Sequence, residues 1–476
     1  MATHRDQLES QLLWLAALDA LCLFVAMIAA IVLRLGVDAL GEYFLDKASG
    51  WAYFAAGILS ANYLTGSYGL EFRLSRFNVA VNWAFSVSLA LLVVGATSYA
   101  WLGGLLGRGV LALAVGIYSV LWLSVRALIY HYLFRTRAFS YRVLVLGGGP
   151  RGGELLGMVQ NTHLRPAHRV VAVLEVEPPG AAGRSVQEPG WLGGIPLLRT
   201  GADKLNALIE SLGVHVVLMA FEREEDEVRL HPNLRRLRFG GLAVLTPLAA
   251  AELYAGKVPL DLVDDRWLMQ ASMGFASPVT MRFKRMLDVG LILLTGVPAL
   301  LLGLLVGLLV KASAPRQPVF YAQDRVGRFS RPFRIYKFRS MIPGAEEGTG
   351  AVWSPLDDAR VTRLGRFLRR YRLDELPQLW NVLRGDMSLV GPRPERPELA
   401  DRLEKDVPFY RERENVLPGL TGWAQIQYPY GATVDDARRK LEYDLYYIRN
   451  LSVGFDLRIV LRTLRIVLFG LERAME

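Results

Sequence analysis

The sequence predicts a membrane protein in three parts: a four-helix transmembrane bundle (residues 1–138), an α/β domain (139–275) and a mostly α-helical domain (279–476). Hydrophobic residues make up 52% of the 476 residues, and the mean hydropathy is +0.25, which favours a membrane protein. Roughly the first 135 residues contain four apolar runs of bilayer length. A strand pattern followed by a glycine-rich turn then begins the α/β segment.

Net charge and cysteine content limit the kinds of site and partner that the chain can have. The formal net charge is +10, and the single cysteine, Cys22, lies in an apolar run. One cysteine excludes a disulfide within the chain and does not support a cysteine-based zinc site. The basic excess fits positive-inside loops and attraction to anionic lipid, and no nucleic-acid-binding motif is present. We therefore expect the lipid bilayer, and no nucleic acid, as a partner.

The charges between the four apolar runs predict their orientation. Arg73 and Arg76 lie between the second and third runs, basic residues follow the fourth, and the third loop carries only Arg108. The positive-inside rule then places both ends of the bundle in the cytoplasm. Asp19 falls within the first run, as either a functional intramembrane residue or a helix–helix contact. The predicted spans are 12–33, 51–68, 79–102 and 110–134.

The second segment predicts a Rossmann-like cytosolic domain. YRVLVLG has the pattern of a buried strand, and Gly147, Gly149 and Gly152 match G-x-G-x-x-G between that strand and a helix. Further apolar runs have the length of strands in a parallel sheet. The turn either binds a dinucleotide, with Glu175 or Glu177 on a ribose, or binds nothing or an unknown regulator. No downstream Tyr-x-x-x-Lys pair supports a redox role.

The third segment begins with an uncharged apolar run at 289–310, for which we predict a re-entrant helix at about 286–311. Pro298 lies mid-run, where it removes a helix hydrogen bond and bends the chain. Basic residues flank both ends, a pattern of two cytoplasmic ends. A fifth crossing would also carry the rest of the chain to the outer face.

Two basic helices farther along predict contact with the membrane surface. Basic and apolar residues alternate at helical spacing at 362–372, and Arg458, Arg462 and Arg465 recur in the last helix. Basic amphipathic helices bind the lipid headgroup layer. The alternative is a helix whose apolar face packs on the protein core.

The stretch 369–394 concentrates residues suited to phosphate chemistry. Asp374 and Glu375 are adjacent carboxylates with arginines on both sides, and Asp386 follows a glycine. Carboxylates bind Mg²⁺ or attack phosphorus, and arginines bind phosphate oxygens in a fork. A solvated, salt-bridged helix face is the alternative.

From residue 281 onward the chain resembles the bacterial sugar transferases, the monotopic polyprenyl-phosphate phosphoglycosyl transferases, in their large exopolysaccharide-priming form. KRMLD, PVFYAQDRVGR, YKFRSM, DELPQLWNVLRGDMSLVGPRP and PGLTGWAQ occur in the family's order. The resemblance implies a catalytic domain with a re-entrant helix and amphipathic interfacial helices, on the cytoplasmic face of the bacterial inner membrane. The family breaks its re-entrant helix at Ser-Pro, where this chain has Val297-Pro298. The Rossmann-like domain would be accessory.

The resemblance also implies a reaction. A UDP-sugar gives its sugar-1-phosphate to undecaprenyl phosphate and releases UMP, the initiating step of exopolysaccharide, O-antigen or capsule synthesis. Asp374 would be the nucleophile, forming an aspartyl-phosphosugar intermediate, and Glu375 and Mg²⁺ would neutralise charge. The family suggests glucose or galactose as the sugar, and we expect a homodimer or other homo-oligomer. Predicted phosphate-binding residues are Arg369, Arg393, Lys337 and Arg339; predicted metal ligands are Asp374, Glu375 and Asp386.

Two other function classes stay open at this point. One is a Rossmann enzyme that modifies nucleotide-sugars, indicated only by the glycine-rich turn. The other is a non-catalytic membrane scaffold of a polysaccharide assembly complex, indicated only by the four spans. The Asp374–Glu375 pair among arginines favours the transferase over both.

Overall fold

A computed structural model describes residues 4–64, 83–84, 86–88, 91, 106–136, 140–162, 168–176, 190–275, 278–342, 344–345, 358–428, 431 and 433–469. The chain divides into two compact units, Met1–Ala255 and Gly256–Glu476. The boundary falls after residue 255, whereas the predicted α/β domain extends to residue 275.

The first unit begins with helices α1 (His4–Leu35), α2 (Leu40–Asp46), α3 (Ala48–Leu64) and α4 (Arg108–Thr136). Within α1 and α4, Trp14–Leu35 and Arg108–Ile129 are long and apolar enough to cross a membrane, and they coincide with the first and fourth predicted spans. Helix α3 covers most of the second predicted span but has only 17 residues. The third predicted span lies largely outside the described residues, so the four-span bundle stays a prediction.

A buried ion pair joins α1 to α4. Asp19 and Arg126 are 1% and 3% exposed, and Arg126 Nη2 lies 3.1 and 3.0 Å from the two carboxylate oxygens of Asp19. Asn62 of α3 donates to the same carboxylate at 3.1 Å. Burying a charge away from water costs free energy, and the attraction between Asp19 and Arg126 offsets that cost here. Asp19 therefore makes the helix–helix contact that was one of its two sequence interpretations.

The remainder of the first unit is a six-stranded mixed sheet with the strand order β3-β4-β2-β1-β5-β6. Neighbouring strands are parallel except the β3–β4 pair. The sheet fits the predicted α/β domain, whereas its assignment as Rossmann-like stays a prediction. Its elements are β1 (Tyr141–Leu146), α5 (Pro150–Asn161), β2 (His168–Val176), β3 (Gly190–Leu192), β4 (Ile195–Thr200), α6 (Leu205–Ser211), β5 (Val216–Met219), α7 (Glu224–Phe239), β6 (Ala243–Leu245) and α8 (Pro247–Tyr254).

The second unit is mostly helical, with a β-hairpin and a two-stranded parallel sheet. Its α-helices and strands are α9 (Asp265–Phe275), α10 (Pro278–Ser313), β7 (Phe320–Val326), β8 (Pro332–Phe338), α11 (Arg363–Arg370), α12 (Gln378–Arg384), β9 (Ser388–Val390), α13 (Pro397–Asp406), β10 (Gly419–Thr421), α14 (Trp423–Gln427), α15 (Val434–Arg449) and α16 (Val453–Phe469). Its 3₁₀-helices are Leu260–Leu262, Arg328–Ser330, Leu373–Glu375 and Tyr410–Asn415.

The segment Gly256–Phe275, which we call the connecting segment, packs on α14 and α15. Val258 is fully buried, and its N–H donates to the Glu442 carbonyl at 2.9 Å. Lys257 pairs with the Glu442 carboxylate at 2.8 Å, and Trp423 Nε1 donates to the Gly256 carbonyl at 2.7 Å. These contacts explain why the unit boundary precedes the connecting segment.

Helix α10 runs without interruption for 36 residues with Pro298 inside it, and it is long and apolar enough to cross a membrane. The break predicted at Pro298 is therefore not visible as a gap in the helix. Ile292 and Val306 are buried at 5% and 3% exposure, whereas Leu294 and Val297 between them are 79% and 70% exposed. The helix thus packs on its unit near both ends and leaves its apolar middle uncovered.

Candidate active site

The carboxylate pair lies between two short helices. Thr362 is the N-cap of helix α11, and its hydroxyl accepts from the Gly365 N–H at 2.9 Å. After α11, Arg372 adopts a left-handed backbone with φ 56°, which costs about 1 kcal/mol or more for a residue with a side chain. This turn starts the 3₁₀-helix that carries Asp374 and Glu375 and leads into α12.

Glu375 is surrounded by positive charge. Its Oε1 accepts from Arg393 Nη2 at 2.9 Å and from Lys337 Nζ at 3.1 Å, and Arg372 Nη1 lies at 3.7 Å. Burial favours a higher pKa for Glu375, but Arg393, Lys337 and Arg372 outweigh it and hold that pKa well below its usual range. Glu375 is therefore an anion at neutral pH.

Asp374 lies in a contrasting environment. It is 6% exposed, and its Oδ1 has no hydrogen-bond partner among the described residues. Burial, followed by the charge of Glu375, raises the pKa of Asp374, while Lys337, Arg369 and Arg372 oppose that rise. An unpaired buried carboxylate oxygen is costly unless water or a ligand completes it. Adjacent carboxylates with opposite pKa shifts are typical of functional sites.

The predicted phosphate-binding residues fall into two groups. Lys337 and Arg393 meet at Glu375, as described above. Arg369 Nε donates to Ser340 Oγ at 2.9 Å, and its charge influences Asp374. Arg339 Nη2 donates to the Val310 carbonyl at 3.2 Å, a contact with the end of α10 and not with the carboxylate pair.

The predicted three-carboxylate metal set is not assembled. Asp386 pairs with Arg384 at 3.3 Å, and the described part of the chain holds no group of three or more Asp, Glu, His or Cys residues placed to bind a metal. The adjacent carboxylates of Asp374 and Glu375 are nevertheless oxygen ligands of the kind that Mg²⁺ takes, with further ligands from substrate oxygens and water.

Two buried amides at the site were not predicted. Asn381 is fully buried; its Oδ1 accepts from the Tyr336 N–H at 3.2 Å and its Nδ2 donates to the Arg334 carbonyl at 2.8 Å. These bonds fasten α12 to β8, the strand that carries Lys337. Gln378 is 3% exposed, and its Nε2 lacks a partner among the described residues. Gln378 and Asn381 follow Asp374 by four and seven residues, a spacing that places side chains on one face of a helix. This spacing was the signal available in the sequence.

Two of the three glycines in the predicted dinucleotide turn have packing reasons. Gly147 has φ +126°, and a Cβ there would overlap the Ala220 carbonyl oxygen. A Cβ at Gly152 would overlap the Gly147 carbonyl oxygen. The glycines allow the turn and the close approach of α5 to β1, so their presence does not require a ligand.

Two carboxylates face the same turn. Glu222 Oε1 accepts from the Arg151 N–H at 2.8 Å, near the start of α5, and a Cβ at Gly149 would lie 2.8 Å from that oxygen. Glu175 lies against Gly148 and pairs with Arg199 at 2.9 Å. A helix N-terminus attracts anions, and here Glu222 supplies one. This arrangement disfavours a diphosphate at the turn and favours the interpretation of an accessory domain.

Similarity to known proteins places the site in context. The profile of the bacterial sugar transferases matches residues 279–470, which include both carboxylates. A UDP-glucose:undecaprenyl-phosphate glucose-1-phosphate transferase of Caulobacter vibrioides is 43% identical over 211 residues, 43% of this chain and 78% of that protein. The chain belongs to the bacterial sugar transferase family. With its apolar helices, this makes it a membrane-associated protein.

Other members of the bacterial sugar transferase family differ in length and in the sugar that they are named for. A UDP-N-acetylgalactosamine-undecaprenyl-phosphate N-acetylgalactosaminephosphotransferase of Aeromonas hydrophila is 42% identical over 221 residues, 46% of this chain and 51% of that protein. A UDP-galactose-lipid carrier transferase of Erwinia amylovora is 29% identical over 357 residues, 72% of this chain and 71% of that protein. The matched part of the chain thus spans about half of the Aeromonas relative.

We predict that Glu222→Ala exposes the anion site at the start of α5. The Arg151 N–H loses its acceptor, so amides around Arg151–Gly153 should exchange faster with deuterium in mass spectrometry. Millimolar inorganic phosphate should restore their protection in the variant and change nothing in the wild type. Glu224→Ala, two residues away in α7, is the matched control and should resemble the wild type. Phosphate protection of the wild-type turn would contradict the assignment.

Proposed function

We propose that the chain transfers sugar-1-phosphate from a UDP-sugar to undecaprenyl phosphate and releases UMP, with Asp374 as the nucleophile. The observation that carries the proposal is the unpartnered, buried Oδ1 of Asp374 beside Glu375, an anion paired with three cationic side chains. The names of the relatives support the two substrates. Because those names specify different sugars, a panel of UDP-sugars is needed to identify the one used here.

In the proposed first step, Asp374 Oδ1 attacks the phosphorus that bears the sugar. The bond from that phosphorus to the bridging oxygen breaks, and UMP leaves with the oxygen. In the second step, a phosphate oxygen of undecaprenyl phosphate attacks the same phosphorus, and the carboxylate of Asp374 leaves. A covalent intermediate suits one soluble and one lipid substrate, because the site never has to hold both together.

The charges around the pair support diphosphate chemistry. The two carboxylates carry two negative charges. Three cations, Lys337, Arg372 and Arg393, lie around Glu375, and the positive charge of Arg369 favours the ionised form of Asp374. Positive excess favours binding of a diphosphate and stabilises charge that builds on its oxygens. Phosphoryl transfer depends mainly on such positioning and charge neutralisation.

We propose that Mg²⁺ accompanies the nucleotide-sugar and would be held by Glu375 and by the carboxylate oxygen of Asp374 that does not attack. When bound, the ion neutralises charge on the diphosphate and on the departing UMP. Asp386, which pairs with Arg384, is not included, because the described residues hold no group of three such side chains placed to bind a metal.

Exposed side chains around the pair support a site at the membrane surface. Phe367, Tyr371 and Trp380 are 54%, 39% and 59% exposed, and the arginines at 363, 366 and 370 of α11 are exposed as well. Aromatic and basic side chains together are typical of the lipid headgroup region. We propose that this region lies on the cytoplasmic leaflet of the inner membrane, and that the lipid-linked product begins polysaccharide synthesis.

A re-entrant course for α10 is also part of the proposal. Ile292 packs in a cluster with Ile335, and Val306 packs in another with Phe338. Ile335 and Phe338 lie three residues apart on β8, about 10 Å, whereas a straight helix separates Ile292 from Val306 by about 21 Å. A bend at Pro298 would bring both ends of the helix toward the same strand while its apolar middle enters the bilayer.

The re-entrant course predicts the location of residue 314. In a Cys22→Ser background, Ala314→Cys should resist an impermeant thiol reagent added outside intact cells and should react after the cells are opened. Labelling from outside would mean that α10 crosses the membrane and would place Asp374 beyond the reach of cytoplasmic nucleotide-sugars.

Asp374→Asn tests the proposed chemistry directly. The amide keeps the shape but not the attacking anion, so UMP release and exchange of labelled UMP into UDP-sugar should fall by about three orders of magnitude or more. Asp386→Asn, the matched control, should lose less than about fivefold because it removes an ion pair that is 3.3 Å long and partly exposed. Chelation of Mg²⁺ should stop the wild-type reaction reversibly. Exchange that survives Asp374→Asn would show that another residue attacks.

The raised pKa of Asp374 predicts the acid side of the pH profile. Protonated Asp374 cannot attack, so kcat/KM for UMP release should fall as pH drops through a pKa above the usual Asp range. Arg372→Gln removes a charge that lowers this pKa and should move the fall to higher pH. Glu375→Gln removes a charge that raises it and should move the fall of its residual activity to lower pH. Shifts in the same direction would contradict the assignment.

A further inference from the structure

The loop that carries Arg393 is held through its backbone. Three successive carbonyl oxygens each accept a hydrogen bond from a different part of the unit. The bonds run from Gly419 N–H to Pro392 at 2.8 Å, from Arg413 Nη2 to Arg393 at 3.1 Å and from Arg325 Nη1 to Pro394 at 3.1 Å. The Arg393 side chain reaches Glu375 from this loop, so the backbone bonds set where its guanidinium can lie.

Arg413 is itself held by two other side chains, those of Tyr410 and Asp444. Its side chain is 8% exposed, and its Nη1 donates to the Tyr410 hydroxyl at 2.6 Å. Its Nη2 lies 2.8 Å from Asp444 Oδ2, and Asp444 is 1% exposed. A planar guanidinium held at two points has little freedom left. The rigid body of α15 is thereby connected through Arg413 to the backbone at Arg393.

We infer that Arg413, anchored by Asp444, is a positioning residue that fixes the Arg393 backbone so that the Arg393 guanidinium meets Glu375 and a substrate phosphate. The inference rests on the proposed transferase function. A displacement of about 1 Å in a positioning group can cost about a hundredfold in rate. Arg413 acts through Arg393 and is not itself assigned a contact with substrate.

The competing explanation is a purely structural ion pair. Breaking a buried pair on one side leaves an uncompensated charge and destabilises the fold, whereas replacing both partners is often tolerated. Stability and turnover therefore respond differently to single and double variants, and this difference separates the two roles.

The test measures UMP release from the full chain in lipid nanodiscs, with thermal unfolding in parallel. Arg413→Met should lower kcat at least about tenfold while the KM for UDP-sugar changes less than about threefold, because the lost alignment matters most at the transition state. Arg411→Met is the matched control. It lies in the same 3₁₀-helix and pairs with Asp401, Glu404 and Glu414, and its kcat should stay within about twofold of the wild type.

The double variant Arg413→Met/Asp444→Asn keeps the test sharp if the single variant is unstable. Removing both charges should restore most of the unfolding temperature that the single variant loses. The kcat of the double variant should stay at least about tenfold below that of the wild type. Recovery of kcat together with stability, or a folded Arg413→Met that matches Arg411→Met, would overturn the positioning role. A wild-type chain that releases no UMP from any UDP-sugar would overturn the proposed function and this inference with it.

Discussion

The arrangement of the second unit depends on keeping one buried carboxylate, Glu375, charged. Burial alone would protonate it, and three cationic side chains prevent that. Lys337 comes from β8, Arg372 from a strained turn and Arg393 from a proline-flanked loop. None of these elements is close to the others in sequence, so the fold must bring them together. The adjacent Asp374, with weaker compensation, is left with the raised pKa and the unpartnered oxygen.

A second buried charge network holds the residue that precedes the same loop. Lys284, near the start of α10, donates to the Val390 carbonyl at 2.8 Å and to the Tyr447 hydroxyl at 3.1 Å, and it pairs with Asp456. Val390 ends β9, immediately before the loop that carries Arg393. Lys284 and Asp456 are only 3% and 1% exposed. Removing either charge would leave the other buried and unpaired, which destabilises a fold strongly. The contacts of Lys284 therefore join α10, α15 and α16 to the strand that precedes the Arg393 loop.

The sequence predicted those features of the structure that depend on residues close together in the chain. The Asp374–Glu375 pair, the cations Lys337 and Arg393, and the apolar lengths of α1, α4 and α10 follow from spacing, composition and motif resemblance. Asp386 was predicted as a third metal ligand beside the pair; in the structure it pairs with Arg384, and its role as a ligand stays a prediction. The sequence also could not show that Arg413 reaches the Arg393 carbonyl, since that contact joins segments 20 residues apart through tertiary packing.

The glycine-rich turn shows the same limit. Its spacing matched a dinucleotide site, yet in the structure the Arg151 N–H donates to the carboxylate of Glu222, 71 residues farther along the chain. The motif accounts for the backbone conformation of the turn, but it does not show which remote side chain lies against it. Gly147 and Gly152 would be required by packing whether or not the domain has a ligand.

The connecting segment has a consequence for how this enzyme family is divided into fragments. The match to the family profile begins at residue 279, whereas the compact unit begins at Gly256. A truncation at residue 279 would remove the acceptor of the buried Trp423 indole and the cation that pairs with Glu442. Each loss leaves a polar group without its partner, at a cost of about 1–3 kcal/mol. The start of the family-profile match therefore lies inside the compact unit of this chain and does not mark its edge.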